Sequence, residues 1–203
     1  MKYQEILQIL KNKLLFSDSS IEKLKKFHDM LILANKRYNL ISKNSEKDIW
    51  LRHILDSAQI VQYINNNVKN ISDFGSGAGF PGAIIAVFDV KKRFHVKLYE
   101  KSPVKRSFLN EIRSELDVDY EVCGNIYENN LSTDLVVCRA FKKLEEIINI
   151  SRETLRKPHK LIILKGKNAQ LEINKVPLSK NYSYKLKDSI TDSDSKLIII
   201  EAR

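Results

Sequence analysis

The chain alternates short apolar runs with longer amphipathic segments from residue 70 to about residue 166, and this rhythm restricts its fold more than any other feature. Strands are expected at "NISDF", "FHVKLYE", "DYEVCG", "TDLVVCRA" and "KLIILKG". Helices are expected between them at "PGAIIAVF", "SPVKRSFLNEIRSEL" and "KKLEEIINISRETLR". Strands that alternate with helices are typical of a parallel sheet covered on both faces. We therefore predict an α/β fold.

The two ends of the chain depart from this alternation. Residues 1–65 carry apolar side chains at three- and four-residue spacing, which predicts an N-terminal helical extension packed on a Rossmann-like domain at residues 66–203. Near the other end, "YSYKLKD" and "KLIIIEAR" flank the polar "SITDSDS". That pattern predicts an antiparallel hairpin added at the edge of the sheet.

The stretch "DFGSGAGFPG" connects the first strand of the α/β region to its first helix. Three glycines stand at alternate positions within it: Gly75, Gly77 and Gly79. Glycines at such a turn let the backbone approach a ligand without an intervening side chain. Counted from Gly77 to Gly82, the letters satisfy the G-x-G-x-x-G spacing of dinucleotide-binding proteins. Counted from Asp73, they read D-x-G-x-G-x-G, which resembles the first motif of class I S-adenosylmethionine-dependent methyltransferases.

Features downstream of the turn bear on this choice. Glu100 ends the second strand, where a carboxylate can accept both ribose hydroxyls of an adenosine in either cofactor class. The reversed final strand favours the methyltransferase sheet, and no second domain is large enough to supply a dehydrogenase's substrate pocket. An NAD(P)-binding oxidoreductase and a non-catalytic RNA-binding module derived from a methyltransferase remain as alternatives.

The charge of the chain favours an anionic partner. Lys and Arg exceed Asp and Glu by 35 to 25, a net charge of +10, which is typical of proteins that bind nucleic acid. The sequence holds no apolar run of about 18 residues and no signal peptide pattern, so we expect a cytoplasmic protein without a membrane partner. Cys123 and Cys138 each end an apolar run, which predicts buried thiols and no metal site.

Five motifs occur in order along the chain: "NLIS" at 39–42, "WLRHILDS" at 50–57, "DFGSGAGFPG" at 73–82, "CRAFKKL" at 138–144 and "LKGK" at 164–167. Together they resemble the bacterial small-subunit ribosomal RNA methyltransferase G family, also called glucose-inhibited division protein B. The resemblance implies a class I methyltransferase with a seven-stranded, mostly parallel sheet. It also implies methylation of N7 of a guanine in 16S ribosomal RNA with S-adenosylmethionine as the cofactor. The expected partner is this RNA or the small ribosomal subunit, and the expected state is a monomer.

The resemblance also implies which residues hold the cofactor. Gly75 and Phe80 are expected on the cofactor and Glu100 on its ribose. The whole implied set is Asp73, Gly75, Gly77, Gly79, Phe80, Glu100, Ile126, Tyr127 and Arg139. One departure stands beside the adenine, where Ile126 and Tyr127 replace the family's usual Ala-Glu pair. Adenine contacts there must come from the backbone or from stacking on Tyr127, with Glu128 as the alternative acidic partner.

Guanine N7 carries a lone pair and no proton, so its methylation needs no general base. Catalysis must then come from positioning, a role that we assign to Arg52, His53 and Arg139. The resemblance implies that Arg52 and His53 face the RNA, with Asp56 orienting one of them. From spacing alone, Arg52 and Asp56 would be an ordinary intrahelical ion pair, because they stand four residues apart. A cation against N7 would oppose the reaction, so Arg139 is expected on a phosphate, on guanine O6 or on the cofactor's carboxylate. Whether His53 is neutral or protonated is open at this point.

Two lysines flank Gly166 at the end of a predicted strand, at the same sheet edge as the glycine turn. We predict that these residues, Lys165 and Lys167, bind RNA phosphates. Phe80 and Phe141 are candidates for stacking on the target guanine, and packing in the core is the alternative for each.

Overall fold

Seven strands form one twisted sheet in the computed structural model, which describes residues 1–128, 131–155, 157–177 and 181–202. The strands are β1 (Asn70–Phe74), β2 (His95–Tyr99), β3 (Glu121–Cys123), β4 (Leu135–Arg139), β5 (His159–Lys165), β6 (Tyr182–Asp188) and β7 (Lys196–Ala202). Their spatial order is β3-β2-β1-β4-β5-β7-β6. Neighbours from β3 to β5 are parallel, whereas β7 runs antiparallel to both β5 and β6. The predicted α/β sheet and its reversed C-terminal hairpin are therefore confirmed.

Helices cover both faces of this sheet. Their bounds are α1 (Tyr3–Gln8), α2 (Asp18–Tyr38), α3 (Lys43–Glu46), α4 (Asp56–Ala58), α5 (Gly82–Phe88), α6 (Pro103–Leu116), α7 (Leu144–Thr154) and α8 (Ala169–Lys175). Serine N-caps explain where the two longest helices begin, because the hydroxyls of Ser17 and Ser102 accept backbone N–H groups in the first turns of α2 and α6. Helix α8 lies in a stretch for which the apolar pattern predicted no element.

The alternation of side chains along each strand divides the core into two layers. On β4, Leu135 and Val137 face the layer that holds α2, α5 and α6, whereas Val136 and Cys138 face α7 and α8. Side chains of the first 65 residues, such as Leu24 and Phe27, belong to the first of these layers and are fully buried. The N-terminal helices thus share one continuous core with the sheet. The division into an extension and a domain at residue 65 stays a prediction.

The segment from residue 43 to residue 63 is less regular than the helical spacing of its apolar residues indicates. It passes through α3, a π-helical turn at Trp50–Leu55, α4 and a 3₁₀ turn at Gln59–Tyr63. Nearly every residue from 53 to 61 is buried, so packing on several sides overrides a single apolar stripe. The π-helical turn brings His53, Ile54 and Leu55 into the interior in succession.

The two thiols are free, Cys138 in the core and Cys123 half-buried at the end of β3. Within the described ranges, no cluster of side chains has the composition of a metal site. No helix of the described chain has both the length and the apolar character to cross a bilayer.

Candidate active site

A cavity of about 830 Å³ opens at the carboxyl ends of β1 to β4. Its floor comes from residues that directly follow these strands, and one wall comes from the N-terminal region. The lining residues that matter below are Ser42, His53, Gly75, Gly77, Phe80, Glu100, Lys101, Lys105, Asn125, Ile126, Tyr127, Arg139, Phe141 and Lys142. Open α/β sheets bind ligands at this edge, so the cavity has the position of a cofactor site.

The glycine turn forms the part of the cavity floor that follows β1. Gly75, Gly77 and Gly79 all have positive φ, at 74°, 57° and 101°, a conformation that favours glycine. A Cβ on Gly75 would lie 2.2 Å from the Phe141 ring, whereas one on Gly77 would meet nothing closer than 3.9 Å. Gly77 therefore leaves open space for a ligand. Gly79 packs against Ala83 and does not line the cavity.

Asp73 lies below the turn and does not reach the cavity that it was expected to line. The side chain is fully buried, and its Oδ2 accepts the Gly82 N–H at 2.9 Å. Burial raises the pKa of Asp73 to about 7, with the Gly82 bond acting in the opposite direction. Asp73 thus ties the end of β1 to the start of α5, a role in shaping the turn.

Glu100 connects the glycine turn to helix α6. Its Oε2 accepts the Gly77 N–H at 2.9 Å, and its Oε1 accepts the Ser102 N–H at 2.8 Å. The residue is only 7% exposed, so these two bonds hold the carboxylate in one orientation. Each oxygen keeps a second lone pair that a ribose hydroxyl can use.

The loop after β3 supplies the opposite end of the cavity. Ile126 is buried, and Tyr127 is 55% exposed with its ring at the rim. The Asn125 Oδ1 accepts the Tyr127 N–H at 3.3 Å, so the amide of Asn125 orders the loop. An exposed aromatic ring beside a buried apolar side chain can stack on a purine. The side chain of Glu128, the alternative acidic partner, lies outside the described residues.

Arg139, His53 and Phe80 form a stacked cluster in the wall between the sheet and the N-terminal helices. The Phe80 ring lies 4.9 Å from His53 at 28° and has the Arg139 guanidinium 5.1 Å from its centroid. A third ring, Phe27, meets it edge-on. Phe80 is only 4% exposed, so it is packed and unavailable for stacking on a base. The half-buried Phe141 keeps that possibility.

The protonation state of His53 follows from its partner. An N–H of Arg139 donates to His53 Nδ1 at 2.5 Å, which makes Nδ1 the acceptor and places the ring proton on Nε2. Burial, followed by the charges of Arg139 and Arg52, lowers the pKa of His53 to about 3. His53 Nε2 is buried and has no partner among the described residues. The ring is thus neutral and carries one donor not used by the protein.

The expected arrangement of "LRHILDS" is only partly present. Arg52 is exposed and does not line the cavity, although its backbone carbonyl accepts an Arg139 N–H at 2.6 Å. Asp56 was expected to orient Arg52 or His53, but its Oδ2 lies 3.6 Å from the Arg139 guanidinium. Asp56 therefore orients Arg139, a partner on the central sheet that local spacing does not indicate.

The lysines around the cavity differ from the predicted pair. The Lys165 ammonium donates to Glu172 and to the Lys142 carbonyl, both at 2.8 Å, and its side chain is 14% exposed. Lys167 is exposed but is not part of the cavity lining. Lys101 and Lys105 line the cavity and form no ion pair with a described residue. The sequence predicts RNA contacts for Lys165 and Lys167 and does not single out Lys101 or Lys105.

Comparisons with known proteins agree with this geometry. Residues 20–198 match the family described as rRNA small subunit methyltransferase G. The chain is 33% identical over 199 residues to ribosomal RNA small subunit methyltransferase G of Orientia tsutsugamushi, covering 98% of each chain. It is 36% identical over 199 residues to the protein of that name from Pelagibacter ubique, covering 95% of this chain and 93% of the relative.

Solved structures with low sequence identity share the fold. A putative O-methyltransferase from Klebsiella pneumoniae superposes with a TM-score of 0.62 at 11% identity, covering 96% of this chain and 94% of that one. The Bacillus subtilis tRNA methyltransferase TrmK superposes with a TM-score of 0.58 at 14% identity, covering 75% of this chain and 68% of that one. The sheet is therefore that of class I methyltransferases, and the comparisons do not favour an NAD(P)-binding oxidoreductase.

Proposed function

The chain belongs to the rRNA small subunit methyltransferase G family, and from this we propose that it methylates N7 of a guanine in 16S ribosomal RNA. Its cofactor is S-adenosylmethionine, which supplies a methyl group on a positively charged sulfur. The cavity fits that cofactor at several points. The open space above Gly77 can hold part of the cofactor, and Glu100 offers two carboxylate oxygens to its ribose. The exposed ring of Tyr127 at the cavity rim can stack on its adenine.

The observation that carries the choice of N7 is the shortage of bases in the cavity wall. Among the described lining residues, Glu100 is the single carboxylate; its oxygens accept backbone N–H groups, and their remaining lone pairs are proposed to bind the cofactor's ribose. The one imidazole, His53, has its acceptor nitrogen occupied by Arg139. A nucleophile that must lose a proton would find no free base here, whereas guanine N7 needs none.

Arg139 and His53 are proposed to position the base in the cavity wall. Asp56, the Arg52 carbonyl and His53 hold the guanidinium on three sides, so its N–H groups are engaged by the protein and the Asp56 carboxylate offsets its charge. The neutral His53 ring lines the cavity and accepts an Arg139 N–H at Nδ1, while its Nε2–H is buried without a partner among the described residues. Orientation of this kind supplies catalysis without proton transfer.

The RNA phosphates beside the target base are proposed to contact Lys101 and Lys105. Both side chains lie at the cavity mouth without a carboxylate partner in the described chain, whereas Lys165 is engaged by Glu172. Each lysine that neutralises a phosphate steepens the plot of log binding constant against log salt concentration by about 1. Changing Lys101 and Lys105 to alanine should therefore flatten that slope by about 1 to 2.

A matched pair of lysines tests this surface. Lys91 and Lys92 are exposed in the loop before β2, at the opposite edge of the sheet, and the double alanine variant there should keep the wild-type slope. Binding of small ribosomal subunits is measured against salt for both variants, and cofactor affinity is measured by calorimetry. A loss of cofactor affinity with unchanged RNA binding would assign Lys101 and Lys105 to the cofactor instead.

The decisive test of the reaction is transfer of labelled methyl from S-adenosylmethionine to small ribosomal subunits that lack the modification. Nuclease digestion and mass analysis then identify the methylated nucleoside, and 7-methylguanosine is expected. A different methylated nucleoside would refute the assignment to N7. Cofactor binding without any transfer to subunits or to free 16S RNA would support the non-catalytic RNA-binding alternative.

The place and form of the enzyme are proposals as well. A ribosomal RNA substrate places the reaction in the cytoplasm. One chain carries both the cofactor cavity and the basic mouth, so we propose that it acts as a monomer.

A further inference from the structure

The turn of the C-terminal hairpin is hydrogen-bonded to the helical segment that carries His53. The Thr191 hydroxyl donates to Asp56 Oδ1 at 3.0 Å, and the Ser189 hydroxyl lies 3.4 Å from the same oxygen. The Gln59 amide reinforces the contact, because its Nε2 donates to Asp56 Oδ1 and its Oε1 accepts the Ile190 N–H. The turn at 189–191 thus surrounds one oxygen of a carboxylate whose side chain is only 15% exposed.

The second oxygen of Asp56 faces the cavity wall. Its Oδ2 lies 3.6 Å from Arg139, whose other N–H groups donate to the Arg52 carbonyl and to His53 Nδ1. The side chains of Asp56 and Arg139 are 15% and 17% exposed, so water has little access to the pair. A chain of polar contacts therefore runs from Thr191 through Asp56 and Arg139 to His53.

We propose that Thr191 is a positioning residue, which holds Asp56 against Arg139 and thereby holds Arg139 on His53. The inference rests on the proposed function, in which Arg139 and His53 position the target base. Thr191 itself does not line the cavity, so it acts only through Asp56. Without its hydroxyl, Asp56 keeps fewer donors on Oδ1 and turns more freely, and the guanidinium follows it.

Thr191→Val removes the hydroxyl and keeps the shape of the side chain. We expect kcat for methyl transfer to fall about tenfold, the effect of one lost hydrogen bond to a charged group. The KM for small subunits should stay within about twofold, because the lysines at the cavity mouth are untouched. Thr191→Ser keeps the hydroxyl and should restore kcat.

A second hydrogen-bonded threonine supplies the control. Thr133 is 3% exposed, and its hydroxyl lies 2.6 Å from that of Ser72, remote from the hairpin turn. Thr133→Val makes the same chemical change, with the loss of a buried hydroxyl contact, and should leave kcat unchanged. A fall in kcat of equal size in both variants would overturn the proposal, because it would reflect stability alone.

A nitrogen-15 NMR spectrum of the histidine side chains provides a readout that is independent of methyl transfer. The chain has four histidines, and in the wild type His53 should show a protonated Nε2 with Nδ1 as a hydrogen-bond acceptor. In Thr191→Val, the Nδ1 resonance should move toward that of a free imidazole nitrogen, whereas Thr133→Val and Thr191→Ser should keep it. An unchanged His53 spectrum in Thr191→Val would refute the positioning role. If the wild type itself methylated no RNA, the proposed function would fail while this spectrum still tested the positioning role.

Discussion

Replacing Glu100 with glutamine tests the assignment of the cofactor's ribose more directly than any other change. The side chain keeps its length and shape, so the packing around it is preserved. One carboxylate oxygen becomes an amide NH₂, and the site offers an N–H on each side, from Gly77 at 2.9 Å and Ser102 at 2.8 Å. Glutamine can satisfy only one of them, and its NH₂ must face the other. The glycine turn and the first turn of α6 then compete for a single acceptor.

The size of the effect follows from the bonds that are lost. One hydrogen bond to a charged group contributes about 1.5 to 3 kcal/mol, so the free energy of unfolding should fall by about that amount. Cofactor binding is weakened in two ways: the ribose loses one carboxylate acceptor, and Gly77 is no longer held in one position by its bond to Glu100. A combined cost of about 1.4 to 2.8 kcal/mol corresponds to a Kd for S-adenosylmethionine that rises roughly 10- to 100-fold.

Titration calorimetry measures the Kd, and denaturant unfolding measures the stability of the same preparations. Glu111 is the matched control, because it lies exposed on α6, the helix that follows Glu100, and forms no ion pair with a described residue. Glu111→Gln should change both quantities by less than about 0.5 kcal/mol. If Glu100→Gln loses stability but binds the cofactor like wild type, Glu100 only supports the turn and the ribose assignment is wrong.

Two further predictions concern the turn and the cavity wall. Gly75→Ala should lower stability by about 2 to 5 kcal/mol, because its Cβ would overlap Phe141 in addition to the strain of an alanine at positive φ. Gly77→Ala, which meets the strain alone, should cost about 1 to 2 kcal/mol of stability, while its methyl group takes space from the cofactor and lowers cofactor affinity; equal unfolding free energies for the two variants would contradict the steric argument. The pKa of His53 is about 3 in the folded protein and 6.5 in the unfolded chain, so between these values only the unfolded chain takes up a proton. The stability that the neutral ring contributes is therefore complete above pH 6.5, and it declines by up to about 1.4 kcal/mol per pH unit as the pH falls toward 3. His53→Phe should remove this dependence, so the difference in unfolding free energy between the two proteins must change over that range, and a constant difference would show that His53 titrates normally.

The sequence by itself determined the order and type of the main elements. Apolar residues recur with period two or at helical spacing, and these periods belong to the backbone geometry of strands and helices. The turn at Gly75 and the carboxylate at Glu100 were found for the same reason, since each directly follows a strand and parallel strands end at one sheet edge. Helix α8 was missed because its seven residues contain too few apolar positions to show a period.

Only the tertiary structure decided what the polar side chains do. Asp73 and Glu100 are both carboxylates at the ends of neighbouring strands, yet packing buries the first beneath the turn and leaves the second in the cavity. Lys165 looked free in the sequence until the fold placed Glu172 beside it.

The cavity wall shows most clearly what local sequence spacing does not predict. The spacing within "LRHILDS" suggested partners one helical turn apart, but Arg139, the group that sets the tautomer of His53, lies 86 residues away along the chain. Local periods report which way a backbone segment turns and which face is apolar. The partner, charge and proton of a buried polar group depend on desolvation and on whichever residue the fold brings within hydrogen-bonding distance, and neither quantity is carried by local spacing.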